Sequence, residues 1–274
     1  MVDDGNEINY INENGDVVLR CKYDEAKGFD SNGLAVVVLY DHERMRMYRG
    51  LINDKGEEVV PCKYSYVINF SPNGLAKAKL DDKYGYINEK GEEVIPCKYS
   101  FVGDFSPNGL VHVELDGKMF YLNEKGEEAF DYKYDWVGMF SPNGLAFVKL
   151  GDESFFINEK GEKVLDCKYD WANVFSSCGL SIVETKRSLA TNNHGLINDK
   201  GEEIVPCKYL GFRWINKIAI VKDEYKWGAL NHKGEEIIPC EYSAIDVWGD
   251  WLVATNDPTR KMYVGLMPGS IVCC

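Results

Sequence analysis

The 274-residue chain has no apolar run near the roughly 18–20 residues that a membrane-spanning helix needs. That excludes a helical span. No segment sustains a 3.6-residue apolar period, so almost no helix is expected. The opening "MVDDGNEINY" has neither a basic nor an apolar region and reads as cytoplasmic, a trimmed leader aside. Positive charge is scarce. Lysine and arginine total 31 against 44 acidic residues, and the net charge of −13 argues against general nucleic-acid binding. No CxxC pair occurs, and His42, His112, His194 and His232 occupy unrelated positions, so neither a metal site nor a cofactor is expected. Nucleophile-elbow, S-x-x-K, phosphate-loop and H-E-x-x-H motifs are all missing, and the expectation is a protein that is not an enzyme.

What the chain does have is repetition. "YGYINEKGEEVIPCKY" at 84–99 returns as "GLINDKGEEVVPCKY" at 50–64, "FFINEKGEKVLDCKY" at 155–169, "GLINDKGEEIVPCKY" at 195–209 and "WGALNHKGEEIIPCEY" at 227–242. The turn glycine falls at Gly15, Gly56, Gly91, Gly126, Gly161, Gly201 and Gly234, with intervals of 41, 35, 35, 35, 40 and 33 residues. A period in this range marks a solenoid, a propeller or an array. Hydrophobic residues at 45% and aromatics at 13% supply a core.

Each unit reads as four short strands. Strand A ("YVINF", 66–70) leads through an "SPNG" turn to strand B ("LAKAKL", 75–80). A polar turn leads to strand C ("YGYIN", 84–88), and the "EKG" turn to strand D ("EEVIPCKY", 92–99). Pro61, Pro96, Pro206 and Pro239 in strand D mark an outer edge, because proline cannot donate to a ladder. The neighbouring Lys63, Lys98 and Lys208 suit a solvated, protected edge. Six cysteines (Cys21, Cys62, Cys97, Cys167, Cys207 and Cys240) share one repeat position, a full unit apart and beyond disulfide reach. They read as small, buried, reduced thiols, and Tyr132 takes their place in one copy without other disruption.

The fold expected is all-β: about seven four-stranded antiparallel units in a single domain over 1–274. The units are a half unit at 8–24, then 25–64, 65–99, 100–134, 135–169, 170–209, 210–242 and 243–274. The leading reading is a seven-bladed β-propeller; the alternative is an open superhelical β-repeat array, which places the spare half unit more easily.

"KWGALNHKGEEIIPCEYS" carries the dipeptide Trp227-Gly228, varied elsewhere as Tyr84-Gly85, Arg49-Gly50 and His194-Gly195. The copies at 120–121 and 155–156 lack the glycine. With the downstream "IN.KGE..VPCKYD" and "S.NGLA.V" patterns, the chain resembles the bacterial WG (KWG) repeat family from residue 8 to about 272. The resemblance implies an interaction scaffold with no catalytic residues to carry over.

Departures from the repeat are where function is sought. Three B–C connections are long: 40–50, 184–195 and 255–263. They hold five of the seven arginines: Arg44, Arg46 and Arg49, then Arg187, then Arg260, accompanied by Lys186 and Lys261. In a meander these connections share one end of the sheets, where strand A also places Tyr66, Phe101, Trp136 and Trp171. Aromatic faces beside guanidinium groups hold acidic peptides, sugars or nucleotides; aromatics at a fixed repeat position also serve simply to fill the gap between units. The leading expectation is a protein-interaction scaffold docking an acidic partner on the arginine loops. The alternative is a module for a small anionic ligand or a glycan at the aromatic and basic end.

Overall fold

The computed structural model describes residues 2–3, 8–67, 70–186, 191–215, 218–248, 251–257 and 260–265, with side chains for 8–67, 70–186, 191–215, 218–246 and 252–256. All regular structure among them is β, and no helix is long and apolar enough to cross a membrane.

Residues 65–99 show how the sequence builds a sheet. Tyr66–Val67, Leu75–Leu80, Lys83–Asn88 and Glu93–Tyr99 lie side by side in chain order as antiparallel strands A to D. Between B and C, Asp81 and Asp82 take φ of 47° and 63°, the left-handed geometry that a two-residue hairpin demands and aspartate tolerates. Between C and D, Asn88 shapes the turn. Its Oδ1 accepts from the backbone N–H groups of Lys90 and Glu92 at 3.0 Å each, and its Nδ2 donates to the Glu92 carboxylate at 2.7 Å. Gly91 then takes a φ of 78°, and its N–H donates to the Asn88 carbonyl at 2.9 Å. The same clamp recurs at Asn53, Asn123, Asn158, Asn198 and Asn231, which is why the Asn-x-Lys-Gly-Glu signature repeats.

The repeats 25–64, 65–99, 135–169, 170–209 and 210–242 form four-stranded sheets with D outermost. The opening half unit, Ile8–Ile11 with Val17–Cys21, gains the short strand Val2–Asp3. The last repeat contributes Ala244–Trp248, Trp251–Asp257 and Arg260–Gly265, and its fourth segment, 267–274, lies outside the described residues. Repeat 100–134 departs from expectation. It has three strands, and its fourth segment is reduced to isolated bridge residues, Tyr134 and Glu128, the latter opposite Leu122, so Tyr132 does not replace the cysteine without disruption. Strand A is also shorter than the sequence implied. Only two residues pair in Tyr66–Val67, Phe101–Val102 and Trp136–Val137, because the chain leaves the ladder to enter the four-residue Ser-Pro-Asn-Gly turn. In repeats 210–242 and 243–274 strand A instead pairs over five residues, up to Ile215 with Ile218 and Trp248 with Trp251.

The glycine of strand C and the proline of strand D are two halves of one feature. Tyr84 pairs with Tyr99, yet Tyr86 pairs with Ile95, so two extra residues of strand D bulge at Pro96 and Cys97. The bulge presses its backbone onto Gly85, where a Cβ would stand 2.3 Å from the Ile95 carbonyl oxygen and 2.8 Å from the Cys97 nitrogen. With no side chain in the way, the Cys97 thiol lies over the glycine, 3.8 Å from the carbonyl of Ala78, the residue paired with Gly85 on strand B. Cys62 over Gly50 and Cys207 over Gly195 do the same, 3.9 and 3.6 Å from the Val37 and Val183 carbonyls. Burial pushes each of the three thiols up to about 11, and all seven described cysteines are free. Where Asn9 or Phe155 takes the glycine position, Arg20 or Asp166 takes the proline position and the strands pair straight through that point.

By internal packing the chain divides into two compact units, Met1–Asp104 with Val111–Ala129, and Phe105–Leu110 with Phe130–Cys274. Within each, consecutive sheets pack face to face. Val36, Leu51, Val60 and Tyr64 of one sheet meet Val67, Ala76, Ala78 and Ile87 of the next, the alanines admitting the larger partners. A polar clamp ties the same neighbours. The Tyr64 hydroxyl donates to the Glu93 carboxylate at 3.2 Å, and the Lys63 ammonium lies 3.3 Å from it. Tyr169 and Lys168 repeat this on Glu203 at 2.8 and 3.3 Å. Lys63, read from sequence as solvated edge protection, thus also binds the next repeat, whereas Lys98 and Lys208 lie over the rings of Tyr99 and Tyr209.

Candidate functional site

The aromatic row occupies one end of the sheets and does not behave uniformly. In the second unit, Trp136 and Trp171 come within 4.1 Å between ring centroids, and each lies 5.8 Å from Phe147. Phe147 belongs to a buried cluster, and the two half-buried tryptophans pack against it between their sheets. Tyr66 and Phe101, in the first unit, stay 41% and 43% exposed. Between their sheets lies an open cleft of about 600 Å³, lined by Tyr66, Lys77, Lys79, Asp82 and Tyr84 from one side and Phe101 from the other.

The β register builds this cleft directly. Tyr66 pairs with Lys79, and Lys79 pairs with Tyr84, so the three side chains form a row across strands A, B and C on one face. Lys77, two residues along strand B, shares that face. Its ammonium is 2.8 Å from Asp104 of the adjoining sheet, while Lys79 is 3.0 Å from Asp82 and 5.2 Å from the Tyr84 ring centroid. The lysine side chains are 17% and 26% exposed and the aspartates 75% and 86%, which places the cations deep and the anions at the rim. The Lys79 contact, with Arg46 contributing, holds the Asp82 carboxyl below its ordinary range. Behind Phe101, the His112 ring packs at 5.5 Å in space left by Gly103. Burial, then the charge of Lys77, pushes His112 down to about 4, so the ring is neutral near pH 7.

Three of the expected arginines share one hairpin, Leu34–Asp41 with Arg46–Asn53. At its tip the Arg44 side chain is 73% exposed, its Nε 3.8 Å from Asp41. Met45 is 89% exposed with a φ of 53°, and Arg46 is exposed beside it. Arg49 sits lower and half-buried, its guanidinium donating to the Ser65 carbonyl of the next sheet. Lys186 ends strand Leu180–Lys186 in the second unit, exposed, its backbone N–H donating to Asp170 at 2.8 Å. Arg187 lies outside the described residues. Arg260 and Lys261 belong by backbone to strand Arg260–Gly265, and their side chains lie outside the description.

Sequence reading named Tyr66 and Phe101 but missed Lys77, Lys79, Asp82 and Tyr84. The available signal was Lys77. Equivalent positions in the other repeats are Val36, His112, Phe147, Ile182 and Ile220.

These features define an all-β repeat protein whose units differ at one end. A model of the WG-containing repeat matches residues 10–41, 50–84, 84–118, 119–153, 155–186, 195–227 and 227–250, and the chain belongs to that family. No curated protein matches the sequence. Similar solved structures include a eukaryotic initiation factor at 11% identity and TM-score 0.42, with 80% of this chain and 77% of that one covered. Hsv2p of Kluyveromyces lactis is similar at 9% identity and TM-score 0.43, covering 76% and 73%. Hydrazine synthase of Kuenenia stuttgartiensis is similar at 11% identity and TM-score 0.36, covering 86% and 93%.

Proposed function

We propose that the chain is a non-enzymatic interaction scaffold that docks an acidic segment of a partner protein on the hairpin tip formed by Arg44, Met45 and Arg46. The observation that carries this reading is the display of an almost fully exposed methionine between two arginines, on a hairpin paired to its tip at Asp41 and Arg46. Methionine and arginine are enriched at protein interfaces, and exposed charges steer encounter. The protein's net charge of −13 repels acidic partners elsewhere, so the tip sets both location and orientation.

The test is fluorescence anisotropy with a labelled Asp/Glu-rich peptide carrying one tryptophan. Arg44→Glu with Arg46→Glu is expected to weaken binding at least about tenfold, and binding is expected to fall steeply with salt. Lys90→Glu, a charge reversal at the opposite end of a sheet, serves as the control. Equal affinity for wild type and the double variant overturns the reading.

A further inference from the structure

The cleft between the sheets of 65–99 and 100–134 is lined by other residues than the hairpin tip, although the Arg46 charge reaches Asp82 at its rim. Its composition points to a different ligand. Lys77, Lys79, Asp82 and Asp104 balance to zero charge, and each cation already has its carboxylate at 2.8 or 3.0 Å. A phosphate or carboxylate would be repelled by two carboxylates that the lysines only balance, and would meet those aspartates first at the rim. A neutral polyhydroxylated ring meets no such repulsion. Its hydroxyls donate to the aspartates and accept from the lysines with both pairs kept, since a carboxylate offers several lone pairs and an ammonium three donors. Tyr66 and Phe101 supply half-exposed ring surface for the apolar C–H face of a pyranose, and Tyr84 adds a third ring with a hydroxyl. The volume, about 600 Å³, accommodates a mono- or disaccharide and lies within the usual range for small-molecule sites.

The repeat provides an internal control. At the equivalent place in the second unit, Phe147 stands where Lys77 stands, and two tryptophans close over it. Aromatic packing, with Lys149 over the Trp171 ring at 5.4 Å, therefore closes such an interface. Lys77 puts a cation there instead, and the cleft stays open with mixed donors and acceptors inside it. We infer that this cleft is a binding site for a pyranose unit of a neutral saccharide.

The experiment is a thermal-shift screen of the intact chain, followed by calorimetric titration. The probes are maltotetraose, cellotetraose, xylotetraose and chitotetraose, with tetragalacturonate, ATP and inorganic phosphate as the anionic arm. At least one neutral tetrasaccharide is expected to raise the melting temperature, with no shift from the anionic arm. Tyr66→Ala and Phe101→Ala are each expected to weaken that binding at least about tenfold. Both rings are substantially exposed, so these variants are expected to fold; should either melt early, Lys79→Met, which removes the ammonium donors and leaves the aromatic walls, makes the same test. Trp171→Phe and Arg44→Glu are expected to leave binding unchanged, which separates this site from the filled interface and from the hairpin tip. Absence of binding by every neutral probe overturns the inference, as does binding insensitive to Tyr66, Phe101 and Lys79, or a response confined to the anionic probes.

Discussion

Replacing Gly85 by alanine tests the coupling of strands C and D. The added Cβ would lie 2.3 Å from the Ile95 carbonyl oxygen and 2.8 Å from both the Cys97 nitrogen and the Pro96 carbonyl carbon. All three are backbone atoms, so no side-chain rotation relieves the clash. The bulge must move, and with it go the Tyr84–Tyr99 pairing and the Cys97 thiol contact with Ala78. Overpacking of this kind costs about 1–3 kcal/mol, and a lost hydrogen bond adds about 1 kcal/mol. The expected penalty is about 2–4 kcal/mol, read as a fall in melting temperature of about 5–10 °C by circular dichroism. Gly28→Ala is the control, because nothing lies within 4 Å of the new methyl.

The repeat also contains the compensated state. Phe155 stands at the glycine position opposite Asp166 at the proline position, and the two pair directly. Gly85→Phe alone should therefore be severe, whereas Gly85→Phe with Pro96→Asp should recover at least about 1 kcal/mol in a double-mutant cycle. A Gly85→Ala protein within about 0.5 kcal/mol of wild type, or additive effects of the two larger changes, would refute the coupling.

The inter-sheet clamp makes an acid-stability prediction. The Tyr169 hydroxyl and then Lys168 hold the Glu203 carboxyl below its ordinary value of 4.5, so its contribution is present above that pH and lost as pH falls through the lower, folded value. Glu203→Gln should flatten that part of a melting-temperature series between pH 3 and 7, and an unchanged acid limb would count against the clamp. Cys62, Cys97 and Cys207, pushed up to about 11, should resist iodoacetamide at pH 8 in the folded protein and react once it is denatured in urea, followed by mass spectrometry. Rapid native labelling would show the thiols to be less protected than this structure has them.

The parts legible in the sequence are those fixed by local chemistry. The C–D turn needs asparagine to cap two backbone N–H groups and glycine at a φ near 80°, and both recur visibly. Proline correctly marked strand D as outermost, but the bulge it occupies depends on register across two strands and was not seen. Its trace was present nonetheless: Gly50, Gly85, Gly195 and Gly228 accompany Pro61, Pro96, Pro206 and Pro239, and Phe120 and Phe155 accompany Asp131 and Asp166. Strand A was overextended because its apolar pattern runs into residues that the Ser-Pro-Asn-Gly turn draws off the ladder.

The candidate sites were legible only to the extent that they break the repeat. Arg44 and Arg46 stood out as insertions, and the structure sets them on a projecting tip. The cleft is harder to read, because Lys77 and Lys79 look like ordinary polar residues of an alternating strand, and alternation assigns outward residues to water. Here that face meets the next sheet instead. Where the chain places phenylalanine or valine at the Lys77 position, the facing sheets pack together, as at Phe147 and Val36. A lysine there sacrifices apolar packing, worth about 1.5–3 kcal/mol for a fully buried side chain, and its ion pair with a largely exposed aspartate returns about 1 kcal/mol at most. Stability alone does not account for such a residue at an inter-repeat position. Ligand binding in the space it keeps open does, and Lys77→Phe should therefore raise stability while closing the cleft to saccharide.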